Sequence, residues 1–181
     1  MGDITIREET RDDAHAIDVV NRSAFGGDAE TALVRDLRAS KNYVPELSLV
    51  AEINGRISGH IVLFRARLDR QDGHTDILAL APMSVVPSQS HRGIGSMLVR
   101  AALTKATSLG YGGVIVVGHP EYYTKFGFEK AAKWNIRCPL PVPEDVVTAK
   151  ELVAGALSGG GLLNYPIEFK RFFQTAGGAQ D

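Results

Sequence analysis

The stretch Ile77–Leu98, ILALAPMSVVPSQSHRGIGSML, decides how the chain is read. It opens as an apolar run too rich in Leu, Val and Ile to face water. Pro82 and Pro87 interrupt it, a polar loop follows, and Gly93-Ile94-Gly95 opens a helical pattern. That order predicts strand, glycine loop, helix. The first turn of such a helix leaves backbone N–H groups unpaired, and the helix dipole adds roughly half a positive charge there. Glycines let a ligand approach the main chain closely. Together these features make a seat for phosphate or diphosphate.

Two phosphate motifs are excluded. The dinucleotide fingerprint needs a third glycine where Leu98 stands, and the P-loop needs a Gly-Lys-Ser/Thr triplet that does not follow. The loop Ser90-His91-Arg92-Gly93-Ile94-Gly95 instead resembles motif A of the GCN5-related N-acetyltransferase (GNAT) superfamily, Gln/Arg-x-x-Gly-x-Gly/Ala. Ser90 departs from the pattern, at the position where Gln or Arg is usual. The resemblance implies that His91, Arg92, Gly93, Ile94, Gly95 and Ser96 hold the diphosphate of acetyl-CoA.

The rest of the chain bounds the reading. It has 181 residues, enough for one ordinary domain with a full core. The formal net charge of −1 gives no electrostatic case for nucleic acid binding. No apolar run reaches membrane-spanning length, and Met1–Ile4 lacks the basic and apolar regions of a signal peptide. A cytoplasmic protein is therefore expected. Cys138 is the sole cysteine, so neither an internal disulfide nor a cysteine-rich zinc site is expected. His15, His60, His74 and His91 show no metal-ligand spacing with acids or Cys138.

Ile4–Arg7 alternates as a short strand. Thr10-Arg11-Asp12-Asp13 reads as a helix start, with Ala14, Ile17, Val20 and Ala24 at helical spacing. Phe25-Gly26-Gly27-Asp28 ends that helix and caps a second, whose Ala32, Leu33, Leu37 and Ala39 are expected on the core. Ser48–Ile53 and Arg56–Leu68 are strands joined by the hairpin signal Asn54-Gly55, and Arg70–Gly73 turns into the Ile77 strand. Met97, Leu98, Ala101, Ala102 and Ala106 form an amphipathic helix ending at Leu109-Gly110. Val114–Val117 is a strand buried on both faces, parallel to the Ile77 strand across a right-handed crossover. Glu121–Lys125 suits a short helix. Cys138–Pro143 is extended, Glu144–Ala156 is expected as helix, Ser158–Gly161 as loop and Leu162–Phe173 as a last strand. One domain is expected over residues 3–173, with a flexible tail at 174–181.

Tyr122-Tyr123-Thr124-Lys125-Phe126-Gly127-Phe128 resembles the superfamily's motif B, Tyr-x-x-x-Gly-Phe. The resemblance implies that Tyr123 protonates the departing CoA thiolate, chemistry that a phenol at hydrogen-bond distance can perform. Pro82 inside an apolar strand marks a bulge. By the resemblance this bulge splays the central strands, and Met83, Ser84, Val85 and Val86 pair with the pantetheine arm. A backbone N–H near Ser84 or Val85 would polarise the thioester carbonyl. The sequence is also similar to the YhbS-type branch of the superfamily, through Ala24-Phe25, Glu30, Leu33-Val34, Leu80–Val85, Gly118–Phe128 and Tyr165-Pro166. His119 departs from the Asp common in that branch.

The expected fold is thus α/β: the acyl-CoA N-acyltransferase (GNAT) fold, a mixed twisted sheet with helices on both faces and a splayed central strand pair. The implied activity is transfer of an acetyl group from acetyl-CoA to a primary amine by direct attack in a ternary complex, without a metal. The competing class is a non-catalytic acyl-CoA-binding or sensing module. Phe25, Glu30 and His119 are the candidate acceptor-side residues. Glu30, His119 and a water chain stay open as the route for the amine proton. Cys138 has no identifiable base partner, which argues against an acyl-cysteine intermediate. The acceptor, a small molecule or a protein amine, and a homodimer stay open.

Overall fold

The computed structural model describes residues 2–177. Its strands and helices follow in the order β1 (Ile4–Glu8), α1 (Ala14–Phe25), α2 (Ala29–Arg38), β2 (Tyr43–Ile53), β3 (Arg56–Arg70), β4 (Gly73–Val85), α3 (Ile94–Ser108), β5 (Gly113–Val117), α4 (Pro120–Tyr123), β6 (Glu129–Lys130), β7 (Ile136–Arg137), β8 (Val147–Glu151), β9 (Gly161–Asn164) and α5 (Ile167–Gly177). One mixed sheet runs β1-β2-β3-β4-β5-β8-β6, and β9 joins the far end of β3 and carries β7. All neighbouring pairs are antiparallel except β4 with β5 and β7 with β9.

The sheet has an apolar layer on each face, and β3 shows how. Its run Ile61-Val62-Leu63-Phe64 is buried throughout. Because side chains alternate, Val62 and Phe64 pack with Ile17, Leu33 and Leu37 of α1 and α2 and with Phe169 of α5. Ile61 and Leu63 pack on the other face with Ile94, Leu98 and Ala102 of α3. The capping box at Thr10 and Asp13 starts the first helical segment as expected, and Gly26 ends α1 in a left-handed conformation. Leu33 and Leu37 reach the core, whereas Ala32 is half-buried and Ala39, the C-cap of α2, is exposed.

Three expectations near the C-terminus are corrected. Glu144–Ala156 is not a helix: a short turn at Glu144–Val146 leads into β8. The open edge of β5 takes Val147–Glu151 as an antiparallel partner, and the β-branched Val147-Thr148 suits that pleated surface. Leu162–Phe173 is not one strand. β9 ends at Asn164, and Pro166 precedes α5, in which Phe169, Phe172 and Phe173 recur at helical spacing. Phe169 packs its ring 5.5 Å from Phe64. Of the expected tail, 174–177 belong to α5, and 178–181 lie outside the described residues.

A buried polar cluster that no sequence motif marks lies on the α1/α2 side. The Glu9 carboxylate accepts from Arg38 Nε at 2.7 Å, Tyr43 Oη at 2.8 Å and Ser48 Oγ at 2.8 Å. His60 Nε2 lies 3.2 Å from the same carboxylate and 2.9 Å from Ser48 Oγ. The Ser48 proton is committed to Glu9, so His60 Nε2 is the donor, and the buried Nδ1, which has no partner among the described residues, favours the neutral ring. His60 is wholly buried, and burial holds its pKa below the ordinary value despite Glu9. Burial pushes the Glu9 carboxyl up, but the bonds from His60, Arg38 and Ser48 outweigh it and hold the group well below the usual range.

Both groups act with the same sign. Below about pH 6.5 the unfolded chain's histidine takes a proton that folded His60 refuses, and below about pH 4.5 the unfolded chain's glutamate does the same relative to Glu9. Unfolding free energy, measured by denaturant titration, is expected to hold between pH 7 and 8, decline from about pH 6.5 downward and steepen below about pH 4.5. His60→Gln should flatten the decline between about pH 6.5 and 5.

Candidate active site

The site begins where two strands part. β4 and β5 pair only at Leu78 with Val114 and Ala79 with Ile115. On its other edge β4 carries the bulge anticipated at Pro82. Leu63 pairs with Leu80 and Ile61 with Met83, so Ala81 and Pro82 together oppose Val62. Beyond the bulge, Val86 N–H donates to the Ser58 carbonyl at 2.9 Å. Alternation along an antiparallel ladder then turns the main chain of Ser84 toward β3 and that of Met83 and Val85 toward the gap beside β5. Between Ser84 and Val85, the free N–H at the gap is therefore that of Val85. The Ser84 hydroxyl points the other way, into the α1 layer, and donates to Asn21 Oδ1 at 2.8 Å.

A cavity of about 680 Å³ opens at this gap. β4 contributes Met83, Ser84 and Val85, the loop and α3 contribute His91 and Gly93–Ser96, α1 contributes Phe25, and the α4 region contributes Tyr122 and Lys125. Gly93 is the N-cap of α3 at φ 78°, a left-handed conformation that glycine adopts without cost. No side chain caps this helix, and its first intrahelical bond to this residue is Met97 N–H to Gly93 O. The N–H groups of Ile94, Gly95 and Ser96 are thus left for a ligand. Gly95 is crowded: a Cβ there would stand 2.7 Å from the Tyr122 hydroxyl and 3.3 Å from Met83 Sδ.

Val86 and Arg92, both expected to bind cofactor, stand off the cavity wall. Val86 is engaged with Ser58, and the Arg92 guanidinium bonds the Gln89 side chain. The cation on the wall is Lys125, whose Nζ sits 4.0 Å over the Tyr122 ring. The two tyrosines of the motif B stretch face different surroundings. Tyr122 lines the cavity. Tyr123 is 7% exposed, in the apolar layer with Val114, Val116 and Phe128, its ring 5.5 Å from that of Phe128. Burial pushes its phenol well above the ordinary value, so it stays protonated.

Glu30 and His119 meet at a second cavity, of about 1130 Å³, with Leu140, Val142, Tyr165 and Phe172 among its walls. Phe25, grouped with them from sequence, lines the first cavity instead. The cavities share chain segments. Phe25 of the first is followed by Glu30 of the second, and Tyr122 of the first is preceded by His119 of the second. His119 is exposed, adopts φ 41° and forms the N-cap of α4.

Residues 5–131 match the acetyltransferase (GNAT) domain family. The chain belongs to the GNAT acetyltransferases. It is 34% identical over 169 residues to the uncharacterized N-acetyltransferase YhbS of Escherichia coli, a match covering 92% of this chain and 99% of the relative. A second E. coli relative, the uncharacterized N-acetyltransferase YjhQ, is 34% identical over 136 residues, 75% of each chain. The crystal structure of E. coli YhbS in complex with CoA superposes with a TM-score of 0.87 at 33% identity, covering 95% of this chain and 94% of that one. A GNAT acetyltransferase from Brucella melitensis in complex with acetyl-CoA gives 0.76 at 27% identity, covering 93% and 99%. The GNAT fold expected from the glycine loop is therefore the fold of this chain.

For a GNAT protein, the wall residues of this cavity that sequence reading did not name as site residues are Ala24, Gln89, Ser90, Tyr122 and Lys125. Tyr122 stood beside the motif tyrosine, but only the turn of α4 decides which ring faces the cavity. Cys138 is half-buried, and burial raises its thiol above the ordinary range. Its reaction with a disulfide reagent at pH 8 should run slower than that of free cysteine. A rate equal to free cysteine would restore it as a candidate nucleophile.

Proposed function

We propose that the chain transfers the acetyl group of acetyl-CoA to a primary amine by direct attack in a ternary complex. The single observation that carries this reading is the uncapped mouth of α3 opening, in one cavity, onto the gap between β4 and β5. Amides of Ile94, Gly95 and Ser96 suit a diphosphate, with Lys125 adding charge. The free main-chain groups of Met83 and Val85 suit an amide-bearing pantetheine arm. The CoA complexes of the YhbS and Brucella relatives support the same ligand here.

The chemistry follows from these positions. The neutral amine attacks the thioester carbon, the C–N bond forms, the C–S bond breaks, and the thiolate takes a proton. The Val85 N–H, turned to the gap, stabilises the carbonyl oxygen as it gains charge. We assign proton donation to Tyr123, which burial keeps protonated and which packs in the layer of the parting strands. Tyr122 is the second reading, favoured by its place on the cavity wall. Its hydroxyl lies beside Gly95, however, where the diphosphate rather than the sulfur is expected. The amine's surplus proton leaves on the Glu30 and His119 side.

Tyr123→Phe is expected to lower kcat roughly 100-fold with the KM for acetyl-CoA little changed, while Tyr122→Phe raises that KM. The opposite pattern would transfer the role to Tyr122. Full turnover in both variants would remove a tyrosine acid from the mechanism. Glu30→Gln and His119→Ala, compared by pH–rate profile, identify the proton route by which variant loses the acidic limb, and wild-type profiles in both would exclude them in favour of a water chain.

Gly95→Val should weaken CoA binding by calorimetry about tenfold, ~1.4 kcal/mol, because the new side chain meets the Tyr122 hydroxyl. Wild-type protein that gives no heat with CoA would overturn the donor assignment. Binding without CoA release across an amine panel would mark a sensing module instead.

A further inference from the structure

We infer that the second cavity selects its acceptor: a monoamine whose amino group sits on an apolar, aryl- or branched-alkyl body, rather than a polyamine or a peptide. This inference rests on the acetyl-transfer reading above. At about 1130 Å³ the cavity exceeds what a small polar amine needs. The two linings are neighbours along two chain segments, Phe25 to Glu30 and His119 to Tyr122, and on the acetyl-transfer reading the Glu30 and His119 end is the one set toward the thioester.

Charge sets the number of amines. Glu30 is the one carboxylate among the described wall residues, and it makes no ion pair among the described residues. Lys170 stands on the α5 wall, its Nζ 3.3 Å from Asn164 Oδ1. One anion and one cation in the same lining suit a single ammonium near Glu30 and repel a second near Lys170. A polyamine would bring its further charges to a wall that cannot pair them.

The walls set the body. Leu140 and Val142 form one side, and the half-buried Phe172 and Phe173 form another. Both phenylalanines are braced by Phe169, at ring separations of 5.8 and 6.2 Å. Such rings take an aryl face or a branched alkyl group. The facing segment argues against a peptide: Pro139 and Pro141 have no N–H to offer an extended main chain. Their fixed φ also keeps this wall preformed.

The test uses the full chain with acetyl-CoA and measures CoA release with 2-phenylethylamine, spermidine and a lysine-containing hexapeptide. Calorimetry of each amine onto the CoA complex runs beside it. The expected kcat/KM for phenylethylamine exceeds the other two by about tenfold or more. Phe172→Ala should raise the phenylethylamine KM about tenfold and leave the acetyl-CoA KM unchanged. Leu140→Ala, on a separate segment, should do the same and serves where Phe172→Ala fails to fold. Preference for spermidine or the peptide, or an unchanged KM in the folded variants, would overturn the inference. Binding of CoA with neither binding nor acetylation of phenylethylamine would overturn it alone and leave acetyl transfer to another acceptor. No heat with CoA would overturn both readings.

Discussion

The structure depends on a strand that cannot stay paired along its whole length. β4 keeps β3 for a neighbour from one end to the other, with a single bulge at Ala81-Pro82, but holds β5 only at Leu78 and Ala79. Proline has no N–H to continue a ladder, and the extra residue re-aims the chain after it. The result is a row of unsatisfied main-chain groups at Met83 and Val85, inside an otherwise buried region. Such groups are costly unless something pairs with them. On the proposed reading the partner is the pantetheine arm of the acetyl donor, which makes the defect in the sheet the site.

Everything around the gap holds that defect open. On one face α3 begins at Gly93 and packs Ile94 and Leu98 into the sheet, which brings its uncapped amides to the mouth of the gap. On the other face Ser84 is tied to Asn21 of α1. One row across, His60 is locked by Glu9, itself held by Arg38 of α2. This cluster joins both early helices to the strands that border the site. Breaking one partner would leave a buried charge uncompensated, a loss of roughly 3–5 kcal/mol in comparable cases. Rigidity of the site and stability of the α1/α2 layer thus share the same residues.

The acceptor side is built differently. Its walls come from Glu30 of α2, His119 after β5, the proline-rich 139–142 segment, Tyr165 between β9 and α5, and α5 itself, segments distant in sequence. The donor side needs main-chain amides, which every sequence has, and only their exposure must be arranged. The second cavity presents side chains instead, and on the proposed reading its apolar rings and single carboxylate select the acceptor.

Read alone, the chain determined the strand, glycine loop and helix that frame the first cavity. Gly93-Ile94-Gly95 after an apolar strand, Pro82 within it and Asn54-Gly55 before it are local signals, because turn chemistry and helix ends are governed by neighbouring residues. The same locality fixed β1 to β5 and α1 to α3 in order and type. What only the tertiary structure decided depends on partners far along the chain. Val147–Glu151 became a strand because β5 had an open edge, and Phe169, Phe172 and Phe173 became a helix face because Phe64 and the acceptor cavity needed covering. Tyr122 rather than Tyr123 reached the cavity wall through the turn of α4. Glu9 and His60, fifty-one positions apart by their numbers, met only because β1, β2 and β3 lie side by side. Spacing along a chain carries no information about contacts that folding itself creates.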